Sequence, residues 1–214
     1  KLTPPGSGVS NRDGEDGHGH LNAGIVMGYD TRTGPDFEDI NGFNYGIGVS
    51  PYGRAASMKI FSPGYNVGSG TESTIQAYWD AGGSISTNSW GAAEGGAYNA
   101  DAQTYDELTR DASSEAGLQQ MLFIFSAGNS GPSNDTMGAP GTAKNVLSVG
   151  AAENANPDAV SGDGCNSVGA EGDNFNDVAP FSSRGPTDDG RTKPDIMAPG
   201  TFVYGTAPIP SVFN

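Results

Sequence analysis

The sequence contains very few cysteines and histidines. Its 214 residues include one cysteine, Cys165, and two histidines, His18 and His20. A single cysteine excludes an intrachain disulfide and a cysteine-rich metal site. No apolar run approaches the roughly 18 residues that a membrane span requires. The chain begins at Lys1, with neither an initiator Met nor a signal-peptide pattern, so we expect it to be a processed or excised piece.

Positive charge is also scarce. The 25 acidic residues outnumber the 10 basic ones and give a net charge of −15. This balance argues against a nucleic-acid partner, which requires basic patches, and against an anionic membrane surface. It fits solubility, salt tolerance or calcium binding without choosing among them. Glycine is abundant, with 34 residues, which predicts many tight turns and long loops.

The apolar pattern predicts an α/β domain with a mostly parallel sheet. We expect functional residues in the loops beyond the carboxyl ends of its strands. Three helices are predicted: one from His18, one over Ser69–Gly82 after a capping-box pattern, and one over residues 98–119. Strands are predicted over Ala55–Phe61, Ser84–Trp90, Met121–Ala127 and Asn145–Ala151, with a further strand inside the loop-strand-turn of Phe181–Thr201.

Two functions compete for the adjacent histidines of "EDGHGHLNAGI" (Glu15–Ile25). Metal ligation is disfavoured, because residues spaced i, i+2 on a helix do not face the same way and no second cluster of ligands exists. A catalytic base needs an imidazole held at a fixed point, and His18 lies between two glycines at the first turn of a predicted helix. Taken alone, the pattern is more typical of a histidine in a solvated loop.

Three further stretches contain candidate functional residues, each with an ordinary structural alternative. In "FSAGNSG" (Phe125–Gly131), Asn129 follows the end of a buried strand, where an amide can donate to a developing oxyanion. The alternative is a plain turn. "NSWG" (Asn88–Gly91) ends another strand, and its tryptophan is otherwise a packed core residue. "FSSRGPTDDGRTKPDIMAPGT" (Phe181–Thr201) is otherwise a structural hairpin.

Together and in this order, the stretches resemble the subtilisin-like serine proteases, the subtilases of peptidase family S8, from about Asp13 to Pro208. "GHGHLNAGI" is similar to the family's "GHGTHVAGI", and "FSSRGP…KPDIMAPGT" is the most specific match. His20 and Leu21 depart from the family pattern, which usually has Thr and a second His there. The resemblance implies a three-layer α/β fold, with helices flanking the central sheet, and a secreted serine endopeptidase that hydrolyses peptide bonds of proteins.

The resemblance also implies roles for individual residues. His18 would be the base of an Asp-His-Ser triad, and Asn129 would be the side-chain donor of the oxyanion hole. The substrate would bind as an extended strand, so that its main chain gives affinity and the pocket gives specificity. One wall of the primary pocket would consist of Ser89, Trp90 and Gly91, and the opposite wall of Ser126, Ala127 and Gly128. Structural calcium is implied without assigned ligands, and no organic cofactor is expected.

Two parts of the family pattern are absent from this chain. The triad Asp lies farther upstream than the 17 residues that precede His18, and neither Asp13 nor Asp16 is assigned to that role. The nucleophile follows the "APG" turn in a "GTSMA" sequence that does not occur here. "GTAP" (Gly205–Pro208) is rejected, because it comes too early and the following prolines forbid a helix.

We therefore expect residues 1–214 to form a single partial peptidase domain, incomplete at both ends and inactive alone. An excised part of a parallel sheet exposes unpaired edges, so the chain should be poorly stable unless complementary fragments of the same protease hold it. Two alternatives stay open. The chain could be a non-catalytic relative that binds peptides without turnover, or a calcium-stabilised acidic scaffold that a chelator would melt.

Overall fold

The computed structural model describes residues 17–61, 64–67, 70–154, 172, 174–203 and 205–206. The chain divides into two compact units, Lys1–Ala81 with Val203–Asn214 and Gly82–Phe202. The prediction of a single partial domain over residues 1–214 stays a prediction. No helix within the described ranges is long and apolar enough to cross a membrane. The sequence positions Asp13, Asp16, Ser69, Cys165 and Pro208 lie outside the described residues.

The first unit contains two of the predicted helices, α1 over His18–Met27 and α2 over Thr71–Asp80. The sequence places small residues along α1, and the helix does pack closely, since a Cβ at Gly24 would lie 2.5 Å from the backbone nitrogen of Thr206. The predicted capping box of α2 is wrong. The N-cap residue is Gly70, which has no side chain to bond the first turn.

The predicted strand over Ala55–Phe61 is also wrong, because no strand spans it in the part of the chain that the structure describes. Phe61 forms an isolated antiparallel bridge with Tyr65, and the backbone nitrogen of Asn66 donates to the carbonyl of Ile60 at 2.7 Å. The chain turns back on itself here, so its backbone groups bond locally. Apolar composition favours a strand only where a partner ladder is available.

The second unit is built on a parallel sheet of four strands in the order β1-β2-β3-β4. The predicted α/β class with a mostly parallel sheet is therefore confirmed. The register pairs Asn88 with Phe125, so the carboxyl ends of β1 and β2 lie side by side. The strands are β1 over Ile85–Asn88, β2 over Leu122–Ser126, β3 over Leu147–Ala152 and β4 over Ile196–Pro199.

Helix α3 spans Ala100–Arg110 and is shorter than the prediction of residues 98–119. Asp111 has an extended backbone, and the nitrogen of Ala112 donates to the carbonyl of Gln119 at 2.8 Å. The prediction is wrong beyond Arg110, because polar side chains in the stretch that follows accept hydrogen bonds from nearby backbone nitrogens and so compete with the helix. Ser113 Oγ, for example, accepts from the nitrogen of Glu115 at 3.2 Å.

An aromatic cluster joins α3 to the sheet. The Tyr105 ring of α3 packs edge-on against Phe123 and Phe125 of β2, with ring centroids 5.1 and 4.8 Å apart. Both phenylalanines are fully buried, at 0% and 1% exposure. Such edge-to-face pairs stabilise beyond the area that they bury. The cluster fixes β2, and hence the turn that follows it, against a rigid layer.

Strand β4 is joined to β3 by an ion pair within "KPDIMAPG" whose ammonium group is buried. Lys193 Nζ donates to the carbonyl of Val146 at 3.0 Å and to Asp195 Oδ2 at 2.6 Å. The same carboxylate oxygen accepts from the nitrogen of Ser148 at 2.7 Å. Phe181–Thr201 therefore supplies a parallel strand of the sheet at its end. Before that strand the chain folds back on itself, since the nitrogen of Gly185 donates to the carbonyl of Lys193 at 3.0 Å.

Candidate functional site

The two predicted pocket walls come from adjacent strand ends in the second unit. β1 runs into Ser89, Trp90 and Gly91, and β2 runs into Ala127 and Gly128. Because β1 and β2 are parallel neighbours in register, the two stretches begin side by side at the carboxyl-terminal end of the sheet. Ser89 and Gly91 are exposed. The site-residue assignments themselves stay predictions, but the fold does bring these residues together.

A third segment, 137–141, joins both stretches and was missed in the sequence. The nitrogen of Ala92 donates to the carbonyl of Ala139 at 2.8 Å, and the nitrogen of Ala139 returns a bond to the carbonyl of Ala92 at 3.1 Å. The nitrogen of Gly138 donates to the carbonyl of Ala127 at 3.0 Å. The run of small residues "GAPG" between two buried strands was the available signal, since only small residues allow backbones to approach this closely.

The Trp90 side chain belongs to the aromatic cluster. Its ring centroid lies 5.5 Å from that of Phe125 and 6.1 Å from that of Tyr105. Its Nε1 donates to Asn88 Oδ1 at 3.2 Å. The half-buried indole therefore packs within this cluster.

Asn129 lies on an exposed turn that is anchored on both sides. Gly128 has φ of 106°, a left-handed conformation that favours glycine. Its carbonyl accepts from the nitrogen of Ser183 at 2.9 Å, and the nitrogen of Ser130 donates to Ser183 Oγ at 3.0 Å. The nitrogen of Gly131 donates to the carbonyl of Phe181 at 2.9 Å. The exposed amide of Asn129 thus projects from a fixed backbone.

His18 lies in the first unit, at the first position of α1. Its side chain is exposed, as a group that exchanges protons with a substrate must be. Asn22, one turn along, places its Nδ2 3.4 Å from His18 Nε2 and donates to the His18 carbonyl at 2.9 Å. The neighbouring His20 is half-buried, and its carbonyl accepts from Thr206 Oγ1 at 2.6 Å.

No metal centre is found within the described ranges, where no three His, Cys, Asp or Glu side chains come together in a way that could hold an ion. The two histidines therefore form no such group with described residues. The acidic residues of 155–171 and 173 lie outside the described part of the chain. The calcium prediction consequently stays a prediction, and no described residue is assigned as a ligand.

Comparison with known proteins gives a consistent result along the chain. The model of the Subtilase family matches residues 4–212. Serine protease AprX of Bacillus subtilis is 39% identical over 109 residues, which cover 51% of this chain and 22% of AprX. Pyrolysin of Pyrococcus furiosus is 35% identical over 99 residues, which cover 42% of this chain and 7% of Pyrolysin. The chain thus spans less than a quarter of either relative.

Solved structures agree on the fold. Sphericase shares 27% sequence identity at a TM-score of 0.52, over 89% of this chain and 55% of Sphericase. A mutant of the protease domain of PatA has a TM-score of 0.58 at 21% identity, over 97% of this chain and 60% of that chain, which shows the fold alone. The predicted three-layer subtilisin-like α/β fold is confirmed by these neighbours.

Proposed function

Because this chain belongs to the subtilase family, we propose that it forms part of a secreted serine endopeptidase that hydrolyses peptide bonds of proteins. The observation that carries the proposal is that three segments, Ser89–Gly91, Ala127–Gly128 and 137–141, meet at the carboxyl-terminal end of the sheet. The exposed side chain of Asn129 directly follows the second of them. That arrangement offers a main-chain edge for a peptide and a donor for a developing oxyanion. The triad Asp and Ser are proposed to lie outside this chain.

In the proposed reaction the serine oxygen attacks the scissile carbonyl carbon, and His18 accepts the hydroxyl proton. The carbonyl oxygen becomes negatively charged, and the Asn129 side-chain amide donates a hydrogen bond to it. The scissile carbon–nitrogen bond breaks as His18 gives the proton to the leaving amine. Water then attacks the acyl carbon while His18 takes a proton from it, and the ester bond breaks as His18 returns that proton to the serine oxygen. The exposure of both side chains supports these roles, since each must touch the reacting atoms.

The substrate is proposed to bind as an extended strand along Ser89–Gly91. Added strands gain affinity from main-chain hydrogen bonds, while alternate side chains enter pockets. The exposure of Ser89 and Gly91 supports this, because it leaves these two residues of the segment at the surface. The absence of side-chain bulk at Gly91, Ala127 and Gly128 supports a pocket lined by backbone.

The test is labelling with a fluorophosphonate probe of the protein that carries this chain, followed by the mass of the labelled species. We expect one serine to be labelled, and His18→Ala to abolish labelling. His20→Ala is the matched control, because it removes the neighbouring imidazole and should leave labelling intact. Asn129→Ala should lower kcat on a peptide substrate by about 10²–10³ with little change in KM.

Absence of labelling, with retained binding of unfolded casein, would instead support a non-catalytic peptide-binding relative. Labelling that survives His18→Ala would remove His18 from the triad.

Calcium is proposed as a structural ion because the family resemblance implies it, and the excess of 25 acidic over 10 basic residues is compatible with it. Incubation with EDTA should then lower the unfolding temperature, and added calcium, but not magnesium, should restore it. An unfolding temperature that does not respond to EDTA would reject structural calcium.

A further inference from the structure

Ser183 contacts the turn that presents Asn129, and nothing in the proposed mechanism uses it. We propose that Ser183 is a positioning residue whose buried hydroxyl fixes the turn of residues 128–130 and thereby aims the Asn129 amide. This inference rests on the proposed function, since it concerns the donor to the oxyanion.

The contact is close and two-sided. Ser183 is 1% exposed, and its Oγ accepts from the backbone nitrogen of Ser130 at 3.0 Å. Its own backbone nitrogen donates to the carbonyl of Gly128 at 2.9 Å. One residue of the "FSSRGP" motif therefore holds the residue before Asn129 and the residue after it.

Glycine at position 128 is required by the same contact. A Cβ there would lie 2.8 Å from Ser183 Oγ, and the φ of 106° disfavours any other residue. The sequence thus combines a glycine and a buried serine at sites 55 residues apart so that the hydroxyl can reach the turn.

The direction of the Asn129 amide depends on this backbone. An asparagine side chain has two torsions beyond the backbone, so the Cα–Cβ bond of Asn129 sets the range of positions that its amide nitrogen can reach. A donor displaced by about 1 Å from the oxyanion loses much of its effect on the rate. Loss of the Ser183 hydroxyl should therefore act on the chemical step rather than on substrate binding.

Ser182, the residue directly before Ser183, provides a matched control. It is also 1% exposed, and its Oγ accepts from the nitrogen of Ala151 at 3.0 Å, at the end of β3. Ser182→Ala and Ser183→Ala thus each delete one buried hydroxyl that bonds one backbone nitrogen. They differ in that the Ser183 hydroxyl bonds the turn of Asn129, whereas the Ser182 hydroxyl bonds β3.

The experiment compares these variants in the protein that carries this chain, with a peptide p-nitroanilide as substrate. Ser183→Ala should lower kcat by at least about tenfold with KM changed less than twofold, and Ser182→Ala should leave both within twofold. In an Asn129→Ala background, Ser183→Ala should cause no further loss, because the two residues act through one donor. Loss of equal size in both backgrounds would overturn the inference.

Failure of the proposed function has a different signature. If Asn129→Ala itself leaves kcat unchanged, Asn129 is not the donor, and the role of Ser183 falls with it. If Asn129→Ala lowers kcat and Ser183→Ala does not, the function stands and the inference alone is wrong. Ser183→Cys is a second variant for the case that Ser183→Ala does not fold, since a thiol fills the site but accepts weakly.

A measurement without turnover tests the contact directly. Amide hydrogen exchange at Ser130 should become faster in Ser183→Ala and stay unchanged in Ser182→Ala, where the amide of Ala151 should respond instead. Unchanged exchange at Ser130 would show that the Ser183 hydroxyl does not hold the turn.

Discussion

Lys193 brings a charged ammonium group into the second unit where β4 joins β3. The residue is 6% exposed, and its Nζ bonds the carbonyl of Val146 and Oδ2 of Asp195. The side chain of Asp195 keeps 35% exposure, so the two partners are desolvated unequally. Removing the more exposed anion would leave the buried cation without a counter-charge, which is the costly way to break such a pair.

We therefore predict that Asp195→Ala lowers the free energy of unfolding by about 3 kcal/mol. Lys193→Met should cost less, because it removes the buried charge and keeps most of the volume, while Asp195 retains its bonds from Ser148. Urea unfolding at pH 7 measures both. Equal losses for the two variants, or a larger loss for Lys193→Met, would contradict the asymmetry.

At the residue scale, the sequence pointed to positions better than to contacts. Asn129 stands just after the end of β2, and the end of that strand is visible in the apolar run, although β2 is buried only at alternate positions. The indole of Trp90 has two plausible directions until the register of β1 against β2 and the position of Tyr105 are known. The contact of Ser183 with Ser130 joins residues 53 apart, and no local pattern encodes it.

Close packing of α1 depends on a glycine that faces another backbone. A Cβ at Gly24 would meet the nitrogen of Thr206 at 2.5 Å, whereas a Cβ at Gly19 would meet nothing within 4 Å. Both glycines lie inside the same helix, where alanine is intrinsically preferred. Alanine at Gly19 therefore tests helix propensity alone, whereas alanine at Gly24 tests propensity together with close packing.

We predict that Gly19→Ala raises the free energy of unfolding by about 0.5–1 kcal/mol through helix propensity. Gly24→Ala should lower it by about 1–3 kcal/mol, because the new methyl displaces the backbone at Thr206. Thermal and urea unfolding of the two single variants measure the difference. If both substitutions stabilise, the close contact of α1 with Thr206 does not form.

Helices and strands could be predicted where the sequence has a periodic apolar pattern and the segment also packs against, or pairs with, another part of the chain. Strands β1 to β3 satisfy both conditions, since each pairs in parallel with a neighbouring strand. Ala55–Phe61 has strand composition without a ladder to join, and the stretch after Arg110 has helical spacing but competing Asp and Ser side chains. Segment 137–141 has no periodicity, and the backbone bonds to Ala92 and Ala127 that place it between two strand ends are encoded by no local pattern.

At the scale of the whole molecule, the net charge of −15 reflects many carboxylates, so lowering the pH tests how they contribute to stability. The Arg191 guanidinium beside Asp189 lowers the pKa of that carboxyl to about 2, and Arg32 does the same for Asp30. Burial raises the pKa of Asp195, but hydrogen bonds from Lys193 and Ser148 outweigh it, so the net shift is downward. In each case the folded state holds the proton more weakly than the unfolded chain.

The sign follows from linkage. A carboxyl with a lowered pKa in the folded state contributes stability that is complete above its unfolded pKa, near 3.8, and is lost as the pH falls toward about 2. The urea midpoint of the protein should therefore decrease as the pH is lowered from about 4 to about 2, measured at about 0.15 M salt so that general charge repulsion is screened.

Asp189→Asn should reduce this decrease at acid pH, the acid limb, and lower the midpoint at pH 7. Arg191→Gln should do the same, because it removes the cation that lowers the pKa of Asp189. If either variant retains the full acid limb, the ion pair between Asp189 and Arg191 does not contribute to the stability of the folded protein.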